Sequence, residues 1–202
     1  MKYNRIEIKL FIRLNSPAKI QDYLNSIKFN FEKRGDTCYS PRFVLKNKIA
    51  HCMEGAMFAA AALEFIGYKP LVMDLRAVEH DFDHVVALFT EGGYWGAISK
   101  TNHAVLRYRE PVYKTIRELA MSYFHEYFDN KGRKNLREYS RPLNLNRFNY
   151  LDWHTTEKNL FQIPEYLDSI KHYKILNKQQ IRNLRKADKI EIEAGKIVDW
   201  KK

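Results

Sequence analysis

The stretch from Cys52 to Gly67, CMEGAMFAAAALEFIG, constrains this chain more than any other. Phe58, Ala59, Ala62, Leu63 and Ile66 fall at helical spacing, and the residues around them are small or apolar on nearly every side. A helix without a polar face belongs in the interior, with other elements packed round it. Gly67 caps it and Pro70 starts the next element. Three short apolar runs follow at 71–75, 84–89 and 94–98, the last two joined by the turn Glu91-Gly92-Gly93. They predict strands, and so short a Gly-rich connection predicts a hairpin. The expected fold class is α+β, with the central helix packed on a mainly antiparallel sheet.

Elsewhere the alternation from Ile6 to Leu14 predicts a strand, with a short helix as the other reading. Ser16-Pro17 reads as the N-cap and first position of a helix that ends before Phe29. Ser40-Pro41 opens a turn into a short helix over 43–45. Ile116, Leu119, Ala120, Tyr123, Phe124, Tyr127 and Phe128 trace one face of a helix reaching Asp129. Residues 131–160 show no period, yet Leu143, Leu145, Phe148, Tyr150, Leu151 and Trp153 are too many to leave in water. Helices are expected near Pro164 and Lys178, and a hairpin over 190–198. With no repeat or linker, residues 1–202 read as one domain, of which 106–202 carries no assignable motif.

A chain of 202 residues can bury a core without disulfide staples. Two cysteines and no apolar leader predict reduced thiols in the cytoplasm. No apolar run reaches the roughly eighteen residues of a membrane span. The net charge of +11 is uneven: residues 1–104 hold 14 basic and 11 acidic side chains, residues 105–202 hold 21 and 13. The basic residues are scattered, no nucleic-acid motif accompanies them, and Lys131-Gly132-Arg133-Lys134 reads as a solvated turn. Nucleic acid is therefore not the expected partner.

Cys52 stands where the buried helix begins, so its thiol faces the positive end of the helix dipole, which favours the thiolate. His84 opens the second predicted strand. A thiol on a helix start and an imidazole on a following strand form the arrangement that a thiol nucleophile and its base require. Cys38, after a polar loop, reads as structural.

Cys52-x-x-x-Ala56 at a helix start, small residues through Ala62-Leu63, Gly67, the Asp83-His84 pair opening a strand and the Trp95 strand after it resemble the transglutaminase-like superfamily. The resemblance covers residues 35–105. It implies a papain-like core in which helix cysteine, strand histidine and a third polar residue follow in this order. It implies further that Cys52 is the nucleophile and His84 its base, with Trp95 as a cleft wall or second oxyanion donor beside the Cys52 N–H. The chain departs from the family at the third member: the Asp usually found four residues after the strand Trp is Ser99 here. Ser99 accepts a hydrogen bond but adds no charge, and Asn102 is the amide alternative if the strand ends early. Asp83, next to His84, points to the opposite face of a strand and supports the loop.

His80, Asp81, Asp83 and His84 crowd one loop and His51 adjoins Cys52, but their context does not give the convergent spacing of a metal site, so no metal or other cofactor is expected. The aromatic cluster of Tyr123, Phe124, Tyr127 and Phe128 reads as core. The expected activity is thiol-dependent acyl transfer on a peptide or protein, with hydrolysis ahead of transglutamination. The alternative is a non-catalytic module that binds a peptide in the same cleft.

Overall fold

The structure, a computed structural model describing residues 3–200, is mixed α+β with a mainly antiparallel sheet. In chain order it runs α1 (Arg5–Arg13), α2 (Pro17–Ser26), β1 (Lys28–Phe29), α3 (Pro41–Asn47), β2 (Ile49–Ala50), α4 (Cys52–Phe65), β3 (Leu71–Arg76), β4 (His84–Glu91) and β5 (Tyr94–Ser99). There follow β6 (Arg109–Tyr113), α5 (Ile116–Ser122), β7 (Glu138–Ser140), β8 (Leu143–Asn144), α6 (Gln162–Ser169), β9 (His172–Lys174), α7 (Lys178–Arg182) and α8 (Lys189–Gly195). Short 3-10 segments lie at Phe124–Glu126 and Leu145–Leu151.

α4 is buried from Met53 to Leu63, as a helix with no polar face must be. It ends in a Schellman turn: Gly67 adopts φ +98, Tyr68 N–H donates to the Leu63 carbonyl and Gly67 N–H to that of Glu64. The sheet runs β6-β5-β4-β3-β7-β9, and β8 pairs with β3 on the β7 side. β7 and β8 act as one interrupted strand. Their registers against β3 differ by one residue, and at the break Ser140 Oγ accepts the Asp74 N–H. Alternate residues of the central strands divide two cores. Val72, Val85, Ala87, Phe89 and Ile98 pack towards α4. Met73, Leu75, Val86, Leu88 and Ala97 pack towards α5 and the rings of Tyr123, Phe124 and Tyr127. Strands from the second half of the chain thus extend the sheet that begins in the first.

Three expected elements differ. Residues 5–13 are a helix and not a strand: Asn4 accepts from Ile6 and Glu7 N–H, Glu7 returns to the Asn4 N–H, and Phe11 faces the core. The 190–198 hairpin is replaced by α8, started by an Asp188–Glu191 capping box. The helix from Ile116 stops at Ser122, whose hydroxyl donates back to the Leu119 carbonyl, and the chain tightens into a 3-10 turn. Pairing at β6, over Arg109–Tyr113, had no expectation attached. Among the described residues no helix is long and apolar enough to cross a membrane.

Candidate active site

The N-terminus of α4 is set by a histidine. His51 is the N-cap: its Nδ1 faces the Met53 N–H at 3.3 Å, and its own N–H donates to Glu54 Oε2 at 3.0 Å. Glu54 is fully buried, and its carboxylate also accepts from Asn30 Nδ2, Thr37 Oγ1 and Tyr39 N–H. A charged side chain with no access to water is tolerated because these donors surround it. The parallel pair β1–β2 holds the chain just before the cap.

Cys52 is the first helical residue and keeps part of its surface exposed, with the sulfur deep among its neighbours. Burial of the thiol opposes ionisation. Hydrogen bonding with His51 and His84, and the charge those rings carry, overcome it and bring the thiol down to about 5. Cys38 is the internal contrast: burial, with Glu54 nearby, pushes its thiol far up, so it stays protonated. For His51, burial disfavours the imidazolium, but the bond to and charge of Cys52, then Glu54 and the Thr37 carbonyl, lift it to about 9.

His84 opens β4, paired with Leu75, and is buried. Its Nε2 lies 2.8 Å from Ser99 Oγ, and Ser99 Oγ lies 2.5 Å from the Leu106 carbonyl oxygen. A carbonyl only accepts, so the serine proton goes to Leu106 and the ring must donate from Nε2. This commits Nε2–H to Ser99 and leaves Nδ1 as the nitrogen free for proton transfer. Leu106 is held at φ +59, a left-handed conformation uncommon for leucine, while its N–H donates to Glu126, itself paired with Arg109 at 2.7 Å. The loop before His84 is pinned by Tyr127, whose hydroxyl donates to the Phe82 carbonyl.

Two contacts fix the end of β5, one against the start of α4 and one against α2. A Cβ on Gly55 would lie 2.3 Å from Lys100 Cβ, so the missing side chain is what allows this approach. Gln21 on α2 grips the Ser99 backbone from both sides, accepting its N–H at 2.9 Å and donating to its carbonyl at 2.8 Å. Lys100 turns inward to donate to the Leu24 and Ile27 carbonyls at the end of α2, and burial pulls its ammonium down to about 8.

Of the residues expected from sequence, Cys52, His84 and Ser99 meet here. Asn102 does not join them: its Oδ1 accepts the Trp200 N–H and its carbonyl the Asp199 N–H, so it holds residues 199–200. Trp95 sits at the far end of β5, opposite Thr90 and near Tyr113, about 13 Å along the strand from Ser99, and does not wall the thiol. Asp83 supports its loop, accepting the Ala77 N–H at 2.7 Å; burial and the charges of Asp74 and Asp168 push its carboxyl up to about 6. Those three carboxylates lie within 4.8 Å of one another, the grouping among the described residues with metal-ligand spacing. Arg76 Nε, 3.9 Å from Asp74 and 4.0 Å from Asp83, supplies positive charge there. Sequence reasoning missed His51 and Gln21 as parts of the site. His51 left a signal, a histidine directly before the cysteine with Glu54 three residues on; Gln21 left none. Compared with models of known families and with curated proteins, the chain matches none.

Proposed function

We propose that this protein performs thiol-dependent acyl chemistry: attack of Cys52 on the carbonyl of a peptide or amide, followed by hydrolysis of the thioester, with transfer to an amine as the lesser route. The observation that carries this reading is a thiol at a helix start, in a residue that keeps part of its surface exposed, hydrogen-bonded to two imidazoles and brought down to about 5, with Nε2–H of one ring committed to Ser99. The thiolate adds to the carbonyl carbon, and the Cys52 N–H, without a partner inside the helix, is placed to donate to the oxyanion. The leaving amine departs with the proton that the thiol first gave up, returned to it by the imidazolium beside the sulfur. His84 Nδ1 then takes a proton from the attacking water, and the carboxylic acid leaves as the sulfur is released. The order of helix cysteine, strand histidine and neighbouring-strand serine supports a papain-like, transglutaminase-like core. A reactive thiol of this kind suits a reducing compartment, and we assign the protein to the cytoplasm.

A second reading, a peptide-binding module without turnover, draws on Ser99, which puts no charge behind His84. Incubation with an activated aryl ester separates the two. Acyl chemistry gives a transient adduct on Cys52 in the mass spectrum and steady release of acid, both lost in Cys52→Ala and with release lost in His84→Gln. A folded protein that never forms the adduct sinks the enzyme reading and leaves the binding module.

A further inference from the structure

The charge absent behind His84 is present behind the other imidazole. His51 Nε2 lies 3.0 Å from the Thr37 carbonyl oxygen, 3.5 Å from Glu54 Oε1 and 3.7 Å from Glu32 Oε1. Around this nitrogen stand a carbonyl and two carboxylates. Around His84 Nε2 stands one hydroxyl whose proton is already committed. An imidazolium is favoured where negative charge and acceptors converge, and of the two rings that is the setting of His51.

Resting on the acyl-transfer reading, we propose that His51 is the resting counter-ion of the Cys52 thiolate, with Glu54 and Glu32 in the place of the carboxylate that Ser99 cannot supply. The proton that leaves Sγ comes to rest on His51; no other bond changes, and the pair is neutral overall. His84, with its Nε2 committed to Ser99, is left to take the proton of the attacking water through Nδ1. His51 is thus a positioning residue, acting through the sulfur. The Met53 N–H contact to Nδ1, long at 3.3 Å, belongs to the neutral ring and is given up when the ring pairs with the thiolate. The groups that face the pair are His84 from β4, Glu54 from the first turn of α4 and Glu32 from the loop before α3. Cys38 and Tyr127 feel the thiolate charge and are pushed further towards their protonated forms.

The test is the pH profile of Cys52 alkylation by iodoacetamide in the full chain, read by mass spectrometry, for wild type, His51→Asn, Glu32→Gln and His84→Gln. Asparagine is a strong N-cap, so His51→Asn keeps the helix start while removing the charge. Wild type has its midpoint near about 5. His51→Asn moves it above about 7, and at pH ~6 the rate falls roughly tenfold, since a more basic thiolate partly offsets its scarcity. Glu32→Gln, at a carboxylate already part-exposed, raises the midpoint by a smaller step and carries the test alone if His51→Asn does not fold. His84→Gln leaves the midpoint within about one pH unit of wild type but abolishes acid release. A midpoint that His84→Gln raises as much as His51→Asn or more, or that Glu32→Gln leaves unmoved, overturns the proposal with the acyl-transfer reading intact. A wild-type midpoint at the ordinary thiol value of about 8.5 brings down that reading itself.

Discussion

Ser99 accepts from the His84 ring while giving its own proton to the Leu106 carbonyl. A carboxylate at this position has no proton to give and would set an anion against that carbonyl oxygen. Serine therefore suits this loop in a way an Asp would not. Ser99→Ala leaves a buried ring N–H and a carbonyl unpaired and is expected to cost about 1–3 kcal/mol in denaturant unfolding. Ser99→Asp is expected to cost at least as much, and a variant as stable as wild type contradicts this account of the site. The thiol also writes itself into stability. Its folded value of about 5 lies below the ordinary thiol, and that of His51, about 9, above the ordinary imidazole. Between about pH 5 and 6.5 the unfolded thiol and histidine both hold protons, whereas the folded pair has already lost the thiol's. Stability should climb by about 1–2 kcal/mol from pH ~5 to ~6.5 and hold level to about 8.5. It should then fall as the unfolded thiol ionises. Urea titrations of wild type and Cys52→Ser across this range should differ by that climb.

At the scale of elements, the local code reads well where periodicity and caps agree. The apolar α4, its Gly67 terminator, the Ser16-Pro17 and Ser40-Pro41 starts and the β4–β5 hairpin all carry their own signals. α1 and α8 went astray because short alternating runs such as Ile6-Glu7-Ile8 and Ile190-Glu191-Ile192 fit a strand as well as a helix. The deciding signals were capping boxes, Asn4 with Glu7 and Asp188 with Glu191. Asn4→Ala is expected to cost about 1 kcal/mol through the first turn of α1, measurable by thermal unfolding. Gly55 was invisible for another reason. Within a helix, propensity alone favours Ala by about 1 kcal/mol, and only the approach of Lys100 from β5 makes glycine necessary. Gly55→Ala should invert the propensity gain, lower the melting temperature and depress the proposed acyl turnover together, because it pries Ser99 away from α4. A stabilised, fully active Gly55→Ala rules out that close approach.

Over the whole molecule, the sheet places the site. β4 carries His84, β5 carries Ser99, and the antiparallel ladder fixes their offset, with Val86 opposite Ser99. Such long-range pairings explain why Cys52 and His84 were legible, each at the start of a strongly patterned element, while their supports were not. Gln21 reaches Ser99 across 78 residues, and Leu106 and Glu126 meet through loops without any period. The same holds for residues 131–160, where burial of Leu143, Leu145, Phe148 and Trp153 was readable but the strands β7 and β8 were not, because they are short and interrupted. Whether this fold holds one of its two cysteines as a thiolate at neutral pH is decided by iodoacetamide labelling of the intact chain against pH. Cys52 is expected to label with a midpoint of about 5 while buried Cys38 stays unlabelled until the protein unfolds. Labelling of Cys52 only as pH approaches about 8.5, or equal labelling of both cysteines in the folded protein, would contradict it.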